Sequence, residues 1–200
     1  MKIILPLLTV MLSAACVLTG CQSPKASSPG GGGATRATRN NCYSLLHQLL
    51  DEQKHVSLLR FIKREQDDVK NLLKKIAAAS GAGAKLLEEF ARHDPSIKLD
   101  DIRLPPGDAA TREAIASTKK KELLGQTGDE FELSLLLTQI EALSYAWHLA
   151  KVAGENEFQP ERARAVAGVS EDMKNLYREA FVLLLSKTKL SATNQIRIQK

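Results

Sequence analysis

The sequence predicts an all-α protein: four long helices, a long crossover between the second and third, and one extra short helix. Three observations lead there. Aromatic residues make up 4% of the chain while 44% of it is hydrophobic, with many Ala and Leu, a balance that suits packed helices rather than sheets. The segment Phe131–Ala153 is apolar on two sides and needs covering by other helices. Proline and glycine punctuate the chain at Pro95, Pro105-Pro106-Gly107, Gly125–Gly128 and Pro160, leaving helix-length runs between them.

The covered helix is the centre of the arrangement. At about 100° per residue, Phe131, Leu135, Ala142, Ala146, Leu149 and Ala153 share one side, and Leu133, Leu136, Ile140, Leu143 and Trp147 the other. Its charged strip passes through Glu141 and His148. Thr127 or Asp129 suits its N-cap.

Around it, the first helix is expected from Cys42 to Arg64, capped by Asn40 or Asn41. Its stripe is Leu45, Leu49, Val56 and Leu59, with Glu52 inside that stripe and His55 at its edge. The second runs from Asp67 to His93, its two leading acids suited to the positive end of the helix dipole. Val69, Leu72, Leu73, Ile76, Ser80, Gly83, Leu87 and Phe90 form one stripe, so the helix passes through Ser80–Ala84, whose small residues admit a close neighbour; a break there is the alternative. Ser96–Gly107 is too long for a tight turn and forms the crossover. A short helix spans Ala109–Leu124, with Lys119–Lys121 on a solvated face. The last helix opens at Pro160 and runs to Ser186 on Val166, Val169, Met173, Leu176, Tyr177, Ala180 and Leu184. The bundle domain is thus 41–187, and 188–200 is expected to be a disordered tail.

The N-terminal forty residues carry a different message. Lys2 precedes an apolar run from Ile3 to Val17, too short for an evident membrane span and placed as an export signal occupying 1–20. The run ends in Leu18-Thr19-Gly20-Cys21, which resembles a bacterial lipobox. That resemblance implies cleavage before Cys21 and acylation of it, so the lipid bilayer is the first expected partner. Ser13-Ala14-Ala15-Cys16 is a poorer candidate, lacking Leu three places before its cysteine. Two or three acyl chains hold a protein stably, at about 0.8 kcal/mol per buried methylene. Gln22 after the cysteine implies, by likeness to enteric lipoproteins, an outer-membrane address facing the periplasm. From 22 to 40 the chain is Gly, Ser, Pro and Ala with Lys25, Arg36 and Arg39, expected as a flexible linker. The net charge of +5, or +4 once Lys2 leaves with the signal, is too mild and dispersed to predict nucleic-acid binding.

Helix order and a few local residues carry one further resemblance. Gly128-Asp-Glu-Phe131, followed by Leu136, Gln139, Ala142 and Leu143, is similar to the central segment of ferritin-like exported bacterial proteins of unknown function, in which a Gly-x-x-Phe-Asp opening leads to a Gln-x-x-x-His helix. The likeness spans Cys42 to Ser186 and implies a ferritin-like up-down bundle. This chain has Leu143 where that family often has His.

A di-metal carboxylate bundle needs inward Glu on four helices and Glu-x-x-His on two. Here one such pair exists, Glu52 with His55, which makes these two the weak metal candidates. No catalytic residue and no cofactor are assigned, because the chain lacks a nucleophile–His–Asp set, a Cys-x-x-Cys pair, a phosphate loop and a dinucleotide fingerprint. Glu52 is expected to meet a partner such as Tyr145, Gln139 or a lysine. His47 and His93 fit surface positions, and Cys42, left without a partner in the chain, fits a small apolar position. The expected function is a non-enzymatic, monomeric envelope lipoprotein meeting a protein partner. A metal-binding oxidase or store using Glu52 and His55 is the alternative, and a sensor of anionic ligands using Lys119–Lys121 a third.

Overall fold

The computed structural model describes residues 31–57 and 66–198. Five helices account for most of them: α1 (Gly31–Gln53), α2 (Asp67–His93), α3 (Pro106–Gly125), α4 (Gly128–Glu155) and α5 (Pro160–Ile198). The described residues contain no strand, and the protein is all-α as expected. None of these helices is long and apolar enough to cross a membrane.

Helices α1, α2, α5 and α4 pack in a cycle, each against the next, and α3 rests on α4. Side-chain pairs set the directions. Tyr43 meets Phe90 and Leu50 faces Gly83, so α1 and α2 run antiparallel. Lys75 bonds Glu179 and Arg162 bonds Asp94, so α2 and α5 do too. Lys187 reaches Glu132 while the Ser170 hydroxyl donates to the Trp147 carbonyl, which makes α4 and α5 antiparallel as well. Tyr43, early in α1, meets Glu157 just past the end of α4, completing the cycle.

The periodic stripes become the core. Val69, Leu72, Leu73, Ile76 and Leu87 of α2 and Val166, Val169, Met173, Leu176 and Ala180 of α5 are buried. On α4, the side carrying Phe131, Leu135, Ala142, Ala146, Leu149 and Ala153 is fully covered. Its second side is covered less: Leu136 and Leu143 are buried, whereas Leu133, Ile140 and Trp147 are half-buried. Gly83 is where α2 admits its neighbours, since a Cβ there would lie 2.8 Å from Leu50 Cδ1 and 3.4 Å from Val169 Cγ1. The expectation of a close approach at the small-residue run therefore holds, and the helix does not break. Gly128 opens α4 at φ 58°, a left-handed conformation that disfavours any side chain.

Three boundaries differ from expectation. α1 begins at Gly31, inside the stretch expected to be a flexible linker. Asn40 and Asn41 consequently lie inside the helix and cap nothing: Asn40 Nδ2 donates to the Ser96 carbonyl and Asn41 Oδ1 accepts from the Arg103 amide. These bonds, with Ser44 Oγ donating to the Lys98 carbonyl, pin the crossover along α1 and hold its early turns from outside. α1 also ends at Gln53 rather than Arg64, because the Lys54 amide closes the last α-turn on Leu50 and the His55 amide tightens onto Glu52. Residues 58–64 of the expected first helix lie outside the described residues. Finally, α5 continues to Ile198, past the expected end at Ser186 and through residues 188–198 of the expected disordered tail. Bonds of the buried Lys187 to two other helices carry it over that point.

Candidate functional site

Each end of the bundle holds a buried polar group built from several helices. At the end where α1 begins, the Glu157 carboxylate is wholly enclosed. It accepts the Tyr43 hydroxyl at 2.7 Å, Arg162 at 3.0 Å, Arg39 at 3.5 Å, and the amides of Phe158 and Gln159 at 2.8 and 2.9 Å. Burial works against its ionisation, but these donors, Arg162 foremost, outweigh it and hold the carboxyl below its usual range. Burial and the bond to Glu157 together push the Tyr43 phenol far up. Arg162 also bonds Asp94 at 2.9 Å and lies over the Phe90 ring, while Arg39 lies over Phe158. One carboxylate in the α4–α5 turn thus joins α1 to α5, and Arg162 extends the tie to the end of α2.

The opposite end carries the counterpart. Lys187 of α5 donates to Glu132 of α4 at 2.9 Å, to Asp68 of α2 at 3.0 Å and to the Gln66 side chain at 2.8 Å. The Gln66 amide closes the set on Glu132. Lys187 and Glu132 are both buried. Lys187 Nζ, both Glu132 oxygens, Asp68 Oδ1 and Gln66 Oε1 thus all bond within the set. Both groups are structural ties. Sequence reading missed them because their members are far apart in the chain.

The sequence-predicted site residues fare differently. Cys21 lies outside the described residues. Glu52 is half-buried and bonds Gln48 one turn back, not Tyr145 or Gln139. Loss of hydration drives its pKa up to about 7, against the Gln48 bond. His55 is exposed and lies past the end of α1, where its amide bonds the Glu52 carbonyl in a tightened turn. Tyr145 instead accepts a bond from Arg112, whose guanidinium stacks on its ring. Gln139 is buried with its Oε1 unpartnered, as are Gln53 Oε1 and Ser80 Oγ. Lys119, expected on a solvated face, is half-buried and pairs with Glu141, joining α3 to α4.

His93 and His148 each turn Nδ1 to a backbone oxygen four residues back. Cys42 is buried and free, and burial pushes its thiol up. His47, expected merely at the surface, has a more specific setting. Its Nε2 lies 3.3 Å from Glu88 Oε1 of α2, and Asp51 stands one turn along α1. Ligand atoms of His47, Asp51 and Glu88 all fall within 4.8 Å of one another, and among the described residues this is the one group of three or more His, Cys, Asp or Glu so placed.

No protein-family model, no curated protein and no solved structure matches this chain.

Proposed function

We propose that this chain is a lipid-anchored protein of the bacterial cell envelope, with a ferritin-like helix arrangement and a non-enzymatic, interaction-based role. The observation that carries the reading is Leu18-Thr19-Gly20-Cys21 standing ten residues ahead of Gly31, where α1 begins. Ten residues reach at most about 35 Å when fully extended. An acylated Cys21 would therefore keep the domain close to the bilayer, with the end holding Glu157 nearest to it. Pull on that tether would enter α1 a few turns before Arg39 and Tyr43 and pass through Glu157 and Arg162 to the other helices.

The ferritin-like arrangement has support in helix direction. α1 and α5 run one way and α2 and α4 the other, so the chain crosses the bundle's length between α2 and α4, through the segment that contains α3. The interaction role has support in exposed apolar side chains on two packed helices, Leu137 of α4 with Phe181, Val182 and Leu185 of α5. An oxidase or metal store built on Glu52 and His55 has less, because among the described residues no group of three or more His, Cys, Asp or Glu includes either of them.

Cell fractionation tests the anchor. The wild-type chain is expected in the membrane fraction, released by detergent and not by salt, and Cys21→Ser in the soluble or uncleaved precursor pool. Recovery of wild type by a salt wash alone contradicts the proposal.

A further inference from the structure

We propose that His47, Asp51 and Glu88 form a divalent transition-metal site, with zinc the best-fitting ion, on the outer edge of the α1–α2 pair. The proposal is independent of the lipid anchor and of the Glu52–His55 reading. The donor set is one imidazole nitrogen and two carboxylates, a combination that zinc accepts with its remaining positions filled by water. The positions follow from helix geometry. His47 and Asp51 are four residues apart and share one edge of α1, and antiparallel packing brings Glu88 of α2 against that edge.

Ligand atoms around a tetrahedral zinc stand about 3.3 Å apart, given bonds of about 2.0–2.1 Å. Nε2 of His47 and Oε1 of Glu88 are already at 3.3 Å, and the widest separation in the set is within 4.8 Å. Closing the rest asks for side-chain rotation and no helix movement. The Glu88 side chain is 46% exposed and free to make that rotation, while the 21% exposure of His47 fixes the ring beside α2.

Glu52 is not part of this set: at about 100° per residue it faces away from Asp51, toward the Leu45 side of α1. Lys54 sets the resting state. Its ammonium pairs with Asp51, so a metal must displace it. The lysine therefore weakens the site, and its removal strengthens binding, a consequence that a purely structural His47–Glu88 ion pair does not share.

The test titrates zinc sulfate into the full-length chain in detergent, in competition with a fluorescent zinc chelator, and measures Tm alongside. One equivalent is expected to bind and to raise the Tm. His47→Gln and Glu88→Gln, both conservative changes at sites with solvent access, are expected to weaken it at least about tenfold. Lys54→Ala is expected to tighten it several-fold, and His55→Ala and Glu52→Gln to leave it unchanged. Far-UV circular dichroism confirms that each variant is folded. Absence of saturable one-to-one binding, binding that survives His47→Gln, or equal loss in His55→Ala overturns the proposal.

Discussion

Replacing Lys187 by Met removes a cation that Glu132, Asp68 and the Gln66 side chain all share. Glu132 is 3% exposed, so among the described residues the substitution leaves a carboxylate held in the bundle by the Gln66 backbone amide. Breaking a buried ion pair from one side costs about 3–5 kcal/mol, because the surviving charge stays desolvated. For a domain of this size that corresponds to a Tm lower by about 10 °C. Removing both charges in Lys187→Met with Glu132→Leu takes away the stranded carboxylate, and Gln66, which is exposed, can turn its amide to water. The double variant is therefore expected to recover most of the loss.

Urea unfolding followed by circular dichroism, for wild type, both singles and the double, completes the cycle. The pH dependence has a definite sign. Burial alone would lower the Lys187 pKa, but its bonds to Glu132 and Asp68 prevail and raise it. Its contribution is complete below the unfolded value, about 10.4, and is lost as pH rises through the higher folded value. The difference between wild type and Lys187→Met should hold constant from pH 6 to 9 and shrink only in stronger alkali. A single variant within about 0.5 kcal/mol of wild type, or a double less stable than Lys187→Met, would refute this account of the pair.

Four other substitutions probe three separate features. Gly81→Ala meets nothing nearer than Lys54 Cβ at 3.7 Å and should stabilise α2 by about 0.5–1 kcal/mol, whereas Gly83→Ala, crowding Leu50 at 2.8 Å, should lose that gain and about 1–3 kcal/mol more; equal melting shifts would discount the close approach. Tyr43→Phe deprives Glu157 of its 2.7 Å donor and should cost about 1.5–3 kcal/mol by denaturant titration, with a neutral result contradicting a structural role for that bond. For Glu52 the native carboxyl keeps its proton up to about pH 7 while the unfolded one releases it near 4.5, so wild-type stability should fall as pH rises between those values. That gap is worth about 3 kcal/mol, so Glu52→Gln, with chelator present, should match wild type at pH 4 and exceed it by about that much at pH 8. A pH-independent difference would count against desolvation of Glu52.

What the sequence made legible was periodic, and what it hid was non-local. The stripes of α2 and α5 could be read because apolar residues recur at helical spacing and nearly all of them are buried. Ser80 and Gly83 belonged to such a stripe, and the passage through the small residues followed from it. The start of α1 could not be read. Three glycines and several Thr and Arg residues give little intrinsic helix preference, and distant partners of Arg39, Asn40, Asn41 and Ser44 hold the early turns. The run past Ser186 was hidden because the next inward position is a lysine. A signal was present all the same, since Lys187 falls seven residues after Ala180 and continues the stripe. Glu52 was legible as a desolvated carboxylate from its place among Leu45, Leu49 and Val56. His47 was not legible as part of a cluster, because its neighbour Glu88 lies on another helix.

Metabolic labelling with an alkyne analogue of palmitate, comparing wild type with Cys21→Ser expressed in a bacterial host, tests the central claim most directly. The account predicts label on the mature wild-type chain, none on Cys21→Ser, and accumulation of that variant as uncleaved precursor. Equal labelling of the two, or an unlabelled wild type whose signal is cut elsewhere, would contradict it.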